Sequence, residues 1–317
     1  MRNRQPVQSG LLRAALLLLM PVLGTISLNA LADKAAITPY DSSRIVSIGG
    51  SITEILYALG LQRRIVAVDT TSLYPQTALQ EKPNVGYMRQ LSAEGVLSLS
   101  PTLILAIDGS GPKETIELLS QARIPFATIA DKFTGDGIID KISVISRDVG
   151  EPDRGQCLAD MARRDLTALD TLRGHILRPV KVAFILSLAN GHPMIAGRDT
   201  AADGIIAMAG ARNAFEDFDG YKLVSDEAIV AAKPDAVLAM QRGEHALLPD
   251  TVFSQSAFAM TPAATHKVLI SMDGLYLLGF GPRSPRAARD LTVRLYPDIH
   301  QEYVPSEQGS EPSQCSR

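Results

Sequence analysis

Tryptophan is absent from this 317-residue chain, cysteine occurs twice and histidine five times. Each scarcity narrows the chemistry. Aromatic stacking is left to eight tyrosines and eight phenylalanines. Cys157 and Cys315 have no His or Cys neighbour at ligand spacing, so the pair makes a poor metal site. His175, His245, His266 and His300 form no close-spaced cluster either. Charge of one sign is lacking too: a formal net charge of −3 gives no broad pull toward nucleic acid. No G-x-S-x-G elbow, Walker loop or zincin motif occurs. Beyond the first thirty or so residues no apolar run is long enough to span a bilayer, and a soluble mature chain is expected.

What is present begins at the N-terminus. Arg2, Arg4 and Arg13 precede an uncharged apolar run, Ala14 to Leu28, and then Ala30-Leu31-Ala32. A basic segment, a short apolar segment and small residues at the cut are the layout of a secretory signal peptide, with cleavage expected near Ala32. The run is shorter than the roughly 20 residues of a spanning helix. No cysteine lies near the cut, which argues against a lipid anchor; a free exported protein points to a Gram-negative periplasm. An oxidising compartment permits a Cys157–Cys315 disulfide. That bridge is not expected, because Cys315 lies in a polar tail, 306–317, that reads as disordered.

Short β-rich runs alternate with helical patterns along the mature chain. Arg44 to Ile48 reads as a buried strand ending in Gly49-Gly50, and Thr53 to Leu59 as a helix stopped by Gly60. Ile65–Val68, Leu103–Ile107 and Phe126–Ile129 read as further strands. A second unit begins at Val180, with strands over Val180–Leu186, Ala236–Met240 and Val268–Ser271 and a helix over Ala202–Ala209. Between the units, Arg154 to Leu172 reads as one long helix. The pattern predicts an α/β protein with parallel sheets. It has two similar α/β lobes joined by a long helix, with a ligand cleft between them. The expected spans are a signal peptide over 1–32, lobes over 33–150 and 179–305, a linker helix over 151–178, and the tail.

The similarity of the lobes rests on an internal repeat. Leu91-Ser-Ala-Glu-Gly-Val-Leu97 leads through Pro101 to Leu103-Ile-Leu-Ala106; Val224-Ser-Asp-Glu-Ala-Ile-Val230 leads through Pro234 to Ala236-Val-Leu-Ala239. Ser, Glu, Pro and the Leu-Ala end recur at a constant offset of 133 residues. A serine followed by an acid starts a helix, and the proline ends it before a buried strand. A weaker echo pairs Ile55–Gly60 with Ile205–Gly210.

These residues carry a resemblance. Arg44-Ile-Val-Ser-Ile-Gly-Gly-Ser51-Ile-Thr-Glu-Ile-Leu-Tyr-Ala-Leu-Gly60 resembles the opening of helical-backbone periplasmic binding proteins, which serve importers of haem, cobalamin, siderophores and some metals. Val85-Gly-Tyr-Met-Arg-Gln-Leu-Ser-Ala-Glu-Gly95 is similar to the haem branch, often called HmuT-like. So are Gly220-Tyr-Lys222 and Gly281-Pro-Arg-Ser-Pro-Arg-Ala-Ala-Arg289. The likeness runs through nearly all of the mature chain. It implies a monomeric carrier, not an enzyme, that takes haem b as its transported ligand. Its partners would be an ABC permease dimer and the ATPase subunits.

The family's ferric-haem ligand is a tyrosine in a segment similar to Asp69-Thr-Thr-Ser-Leu-Tyr74-Pro75, which maps onto Tyr74. Fe(III) is a hard cation and a phenolate suits it as an axial donor. A free phenol ionises only near about 10, so it needs help from iron or a nearby arginine. The resemblance assigns that second role to Arg242. Tyr87 and His192, the latter read as a loop residue after the Val180 strand, are the alternative iron donors. Arg89 suits a haem propionate. Glu94 and Glu227, equivalent in the repeat, would dock one on each half of the permease; the plainer reading is first-turn acids complementing the helix dipole. The same fold binding cobalamin or an iron siderophore is the alternative function. A secreted hydrolase using Ser51 is the remote one, since no partner His and Asp can be assigned to that serine.

Overall fold

A computed structural model of the chain describes residues 40–189, 192–241 and 247–299, together with Cys315. The expected signal peptide, Arg242, His245, His300 and the tail apart from Cys315 lie outside the described residues. The first half runs β1 (Ile45–Ile48), α1 (Gly50–Ala58), β2 (Ile65–Val68), α2 (Thr77–Glu81), α3 (Ala93–Leu97), β3 (Leu103–Ile107), α4 (Lys113–Gln121) and β4 (Phe126–Ile129). Its four strands are all parallel, in the order β2-β1-β3-β4. β1 and β3 are apolar at nearly every position because both faces of the sheet are covered.

Two helices follow, α5 (Gly135–Asp148) and the long α6 (Pro152–Arg173). Thr134 caps α5 by accepting from the Gly137 N–H, Pro152 opens α6, and Gly174 follows its last turn. The second half runs β5 (Lys181–Ala189), β6 (His192–Ala196), α7 (Ala201–Met208), β7 (Arg212–Asn213), β8 (Tyr221–Leu223), α8 (Asp226–Ala232) and β9 (Ala236–Gln241). It continues with α9 (Pro249–Phe253), α10 (Ser256–Ala259), α11 (Pro262–Thr265), β10 (Leu269–Asp273), α12 (Gly274–Leu278) and α13 (Ser284–Leu295).

The two sheets share a plan. β1-β3-β4 in the first lobe and β5-β9-β10 in the second are parallel triplets in the same order. The repeat sits at equivalent places: Ser92 accepts from the Gly95 N–H at 3.2 Å to start α3, and Ser225 from the Ala228 N–H at 3.3 Å to start α8. Gly60 and Gly210 both follow their helices with positive φ, 77° and 75°, a conformation that suits a residue without a side chain. The lobes differ on the other edge. Where the first sheet has β2, the second has the two-residue β7 parallel to the start of β5, and it adds β6 antiparallel to β5 and β8 antiparallel to β6. This departs from the all-parallel expectation. The Pro193-Met-Ile-Ala196 run pairs back across a short connection, which a parallel crossover would not permit.

One apolar core spans both lobes. Ile45, Ile55 and Leu103 of the first join Ile142 and Leu158 of the connecting helices, and Phe184, Ile205 and Leu291 of the second. Phe280 plugs the seam, with its ring fully buried and 5.3 Å from that of Phe133. Its carbonyl accepts from Lys141 Nζ at 3.2 Å; the same ammonium, wholly buried, meets Asp131 at 2.6 Å and the Ser51 hydroxyl at 3.3 Å. Arg286 at the start of α13 ties to Asp165 of α6 at 2.8 Å.

Two expectations need correction. Cys157 on α6 and Cys315 are joined in a disulfide with an S–S distance of 2.01 Å. Cys315 is buried against Met161, so this point of the tail is held to the connecting helix by an apolar contact that its polar neighbours in sequence do not betray. Helix α1 begins at Gly50, not Thr53, because Gly49 turns the chain out of β1 with φ 118°.

Removing one partner of a buried ion pair strands the other. Asp131→Ala should therefore lower unfolding free energy by about 3 kcal/mol, and Lys141→Met, which removes the buried charge itself, by less than half as much. Urea unfolding of both variants checks this; equal losses would contradict it.

Candidate ligand-binding site

The loop between β2 and α2 is fixed from beneath. Asp69, at the end of β2, is wholly buried. Its Oδ1 accepts from the Gly49 N–H at 2.8 Å, and its Oδ2 from the Thr71 N–H at 3.0 Å and the Thr71 hydroxyl at 2.8 Å. The Thr71 oxygen in turn accepts from the Gly50 N–H at 2.9 Å. Ser72 donates to Asp69 Oδ1 at 3.1 Å and lies 2.7 Å from Thr53, which lies 2.7 Å from Ser47. This chain of buried hydroxyls explains the Gly49-Gly50 pair. A side chain at Gly50 would collide with the Thr71 carbonyl. The strand–Gly-Gly–helix opening thus serves to clamp the loop that carries Tyr74.

Tyr74 leaves this anchored loop as a residue 38% exposed, and Leu73 beside it is exposed as well. The Arg283 guanidinium, from the other lobe, lies on the Tyr74 ring with its carbon 3.4 Å from the centroid. Arg283 is itself gripped by Glu54 of α1: its backbone N–H donates to Oε1 at 3.1 Å and its Nη2 to Oε2 at 3.0 Å. The Glu54 side chain is only 5% exposed and that of Arg283 18%. The ring of Tyr276 lies 5.2 Å from the same guanidinium. Burial, then the neighbouring Asp290 that accepts its O–H at 2.9 Å, pushes the Tyr276 phenol up and keeps it protonated.

Tyr87 and Arg89 sit on the next loop, both exposed. The Thr70 N–H donates to the Gly86 carbonyl and Val85 to Val68, both at 2.9 Å, so the Tyr87 loop is laced to the Tyr74 loop. Tyr221 stands on β8 of the second lobe, within electrostatic reach of Arg89. Burial raises its phenol, and the positive charge of Arg89 acts the other way. His192 is the first residue of β6, not a loop residue as expected, and is exposed. It stands at the far end of that strand from Ala196, the partner of Tyr221. Arg242 lies outside the described residues. Glu94 and Glu227 are exposed in the first turns of α3 and α8, one on each lobe. Hydrogen bonds from its own backbone N–H and from Ser225 hold the Glu227 carboxyl below the usual range.

The sequence singles out Tyr74 but not the side chains packed around it. Glu54 was the available signal: a single acid inside the apolar Gly50–Ala58 helix must find a cation if it is buried. That cation, Arg283, stands 229 residues away. Asp69, the first residue of the Tyr74 segment, and Tyr221, inside Gly-Tyr-Lys, carry no separate signal in the sequence.

Two α/β lobes on a long helix, a cleft between them and a clamped loop at its edge define a solute-binding protein. The chain belongs to the periplasmic binding protein family, which it matches over residues 45–275. Its fold is similar to that of the periplasmic heme-binding protein RhuT from Roseiflexus sp. RS-1 in apo form. The TM-score is 0.76 and the identity 39%, over 81% of this chain and 99% of that one. It is 28% identical over 265 residues to YvrC of Bacillus subtilis (strain 168), an uncharacterised ABC transporter substrate-binding lipoprotein, covering 83% of this chain and 82% of that protein. It is 30% identical over 218 residues to a vitamin B12-binding protein of Vibrio cholerae, covering 66% of this chain and 73% of that protein.

Asp69 accepts four hydrogen bonds while buried, and an amide can accept at only one of its two positions. Asp69→Asn should lower stability by about 2 kcal/mol and speed amide exchange at Gly49 and Thr71 with β3 unaffected. Exchange measured by mass spectrometry checks this; unchanged rates at Gly49 and Thr71 would refute it.

Proposed function

We propose that this chain binds haem in the cleft between its lobes and delivers it to the permease of an ABC importer, acting as a carrier without catalysis. The observation that supports this most is Tyr74: an exposed phenol on a loop clamped by a buried network, with an arginine from the opposite lobe on its ring face. A single oxygen donor so held suits a ferric iron whose other four bonds are porphyrin nitrogens. Tyr87 and His192 are the other donors, and Arg242 the arginine that the resemblance assigns to the tyrosine. Arg89, exposed and close enough to influence Tyr221 across the cleft, is the propionate contact. The 39% identity to a heme-binding protein favours the same ligand.

The remaining assignments belong to the same reading. Residues 1–32 form a cleaved signal peptide, and the mature protein works in a Gram-negative periplasm as a monomer. Lobes over 33–150 and 179–305 flank a linker over 151–178. Glu94 and Glu227, on equivalent helices of the two lobes, meet basic pockets of the permease dimer, which its ATPase subunits drive. Ser51 is no nucleophile here, since its hydroxyl is buried against the Lys141 ammonium.

Hemin added to the purified mature protein should form a saturable complex with a high-spin ferric tyrosinate spectrum, and Tyr74→Ala should lose that spectrum and weaken binding at least tenfold. No specific hemin binding by the wild type would overturn the haem reading. The likeness to a vitamin B12-binding protein then makes cobalamin the ligand to titrate next, on the same fold. Glu94→Lys with Glu227→Lys should leave the hemin titration unchanged and cut transporter-dependent uptake by roughly tenfold. Unimpaired uptake would remove the docking role.

A further inference from the structure

The chain has two cysteines, and the fold joins them: Cys157, near the start of α6, to Cys315, 158 residues on. The two ends of the bridge differ in their surroundings. Cys157 is exposed, whereas Cys315 is only 3% exposed and its sulfur lies 3.3 Å from Met161 Sδ, one helical turn farther along α6. Met161 is itself buried. The first turns of α6 are seated on the first lobe: Arg154 donates to the Leu59 carbonyl at 3.3 Å, and Glu151, just ahead of the helix, pairs with Arg64 at 2.9 Å. Every element from β5 to α13, the whole second lobe, lies between the two cysteines, and β1 to α5 lie outside the closed loop. When the second lobe opens, its chain stays tethered at both ends, and the conformational freedom it can gain is cut. Opening of the first lobe meets no such restriction.

We propose that the Cys157–Cys315 bridge is a redox-sensitive brace of the second lobe. Closed, it restrains that lobe and keeps Met161 covered; opened by a thiol, it lets the lobe unfold more readily and bares the methionine. The reductant is a small thiol or dithiol. Its thiolate attacks the exposed Cys157 sulfur, the S–S bond breaks, and Cys315 leaves as a thiolate that takes up a proton. A second thiolate attacks the mixed disulfide on Cys157 and releases that sulfur, which is protonated in turn. Two electrons and two protons thus pass from two thiols to the protein, and the thiols depart as their own disulfide. A disulfide oxidant closes the bridge by the reverse exchange. With two cysteines in the chain, no wrong intramolecular pairing competes. Oxidising surroundings keep the protein braced, and thiol-rich surroundings loosen it.

Thermal melts of the purified mature protein, with and without dithiothreitol, test the brace, with free thiols counted to verify that the bridge has opened. Reduction should lower Tm by about 8 °C, given the length of the closed loop. Cys157→Ser with Cys315→Ser should melt where the reduced wild type melts and should ignore dithiothreitol. If that variant does not accumulate folded, the wild type, purified oxidised and then reduced, carries the test alone. An equal Tm with the bridge closed and opened overturns the proposal. Hydrogen exchange below Tm locates the effect. Reduction should speed exchange at Val237 and Leu238 of β9 by roughly tenfold, and at Ile104 and Leu105 of β3 by less than about twofold. An equal rise in both strands would show a staple of the whole fold and refute a brace of the second lobe. Peroxide reads the cover on Met161: its conversion to the sulfoxide should run roughly fivefold faster in the double serine variant than in the oxidised wild type. Equal rates would overturn the claim that the bridge keeps Met161 covered.

Discussion

The buried ion pair between Glu54 and Arg283 is the constraint on which the arrangement of the cleft depends. It joins a helix of the first lobe to the start of α13 in the second, with both side chains largely withdrawn from water. A pair so buried contributes little net stability, because desolvation offsets much of the attraction. Its value is specificity. An unpaired Glu54 in the apolar α1 would be costly, so the lobes are driven to the one seating that brings Arg283 to it. That seating also lays the guanidinium on Tyr74.

The rest of the seam serves the same end. Phe280 fills the space beside Phe133, its carbonyl takes a hydrogen bond from Lys141, and Asp131 neutralises that ammonium. Four consecutive residues, Phe280 to Arg283, thus deliver an apolar plug, a backbone acceptor and a cation into the first lobe. Packed cores of this density shift between discrete arrangements instead of deforming smoothly.

The likeness of the lobes gives the molecule a second kind of order. Ser92 and Ser225 cap equivalent helices, and Glu94 and Glu227 stand in equivalent first turns. Parallel triplets of strands lie behind them. The two acids are repeated on the two lobes, whereas other side chains are not: the first lobe carries Tyr74 and Arg89, the second Arg283 and Tyr221. A duplicated frame thus carries different side chains on its two lobes, and Arg283 of the second lies on Tyr74 of the first.

Much of this was legible from residue order. Strand and helix positions, the long connecting helix, the duplicated Ser-x-Glu helix starts and the Tyr74 loop all follow from periodicity, caps, breakers and resemblance, which are local signals. The antiparallel β6 and β8, and with them the place of His192, were not legible, because pairing across a short connection depends on the sheet edge that receives it. Nor was the Cys157–Cys315 bridge, whose second cysteine is buried by a contact with Met161 that its polar surroundings conceal. By itself the sequence determined the architecture of two α/β lobes and the residue types able to hold a ligand. Only the tertiary structure decided which arginine meets Tyr74. Partners 229 residues apart are chosen by burial and charge neutralisation in the folded core, and no local pattern records that choice.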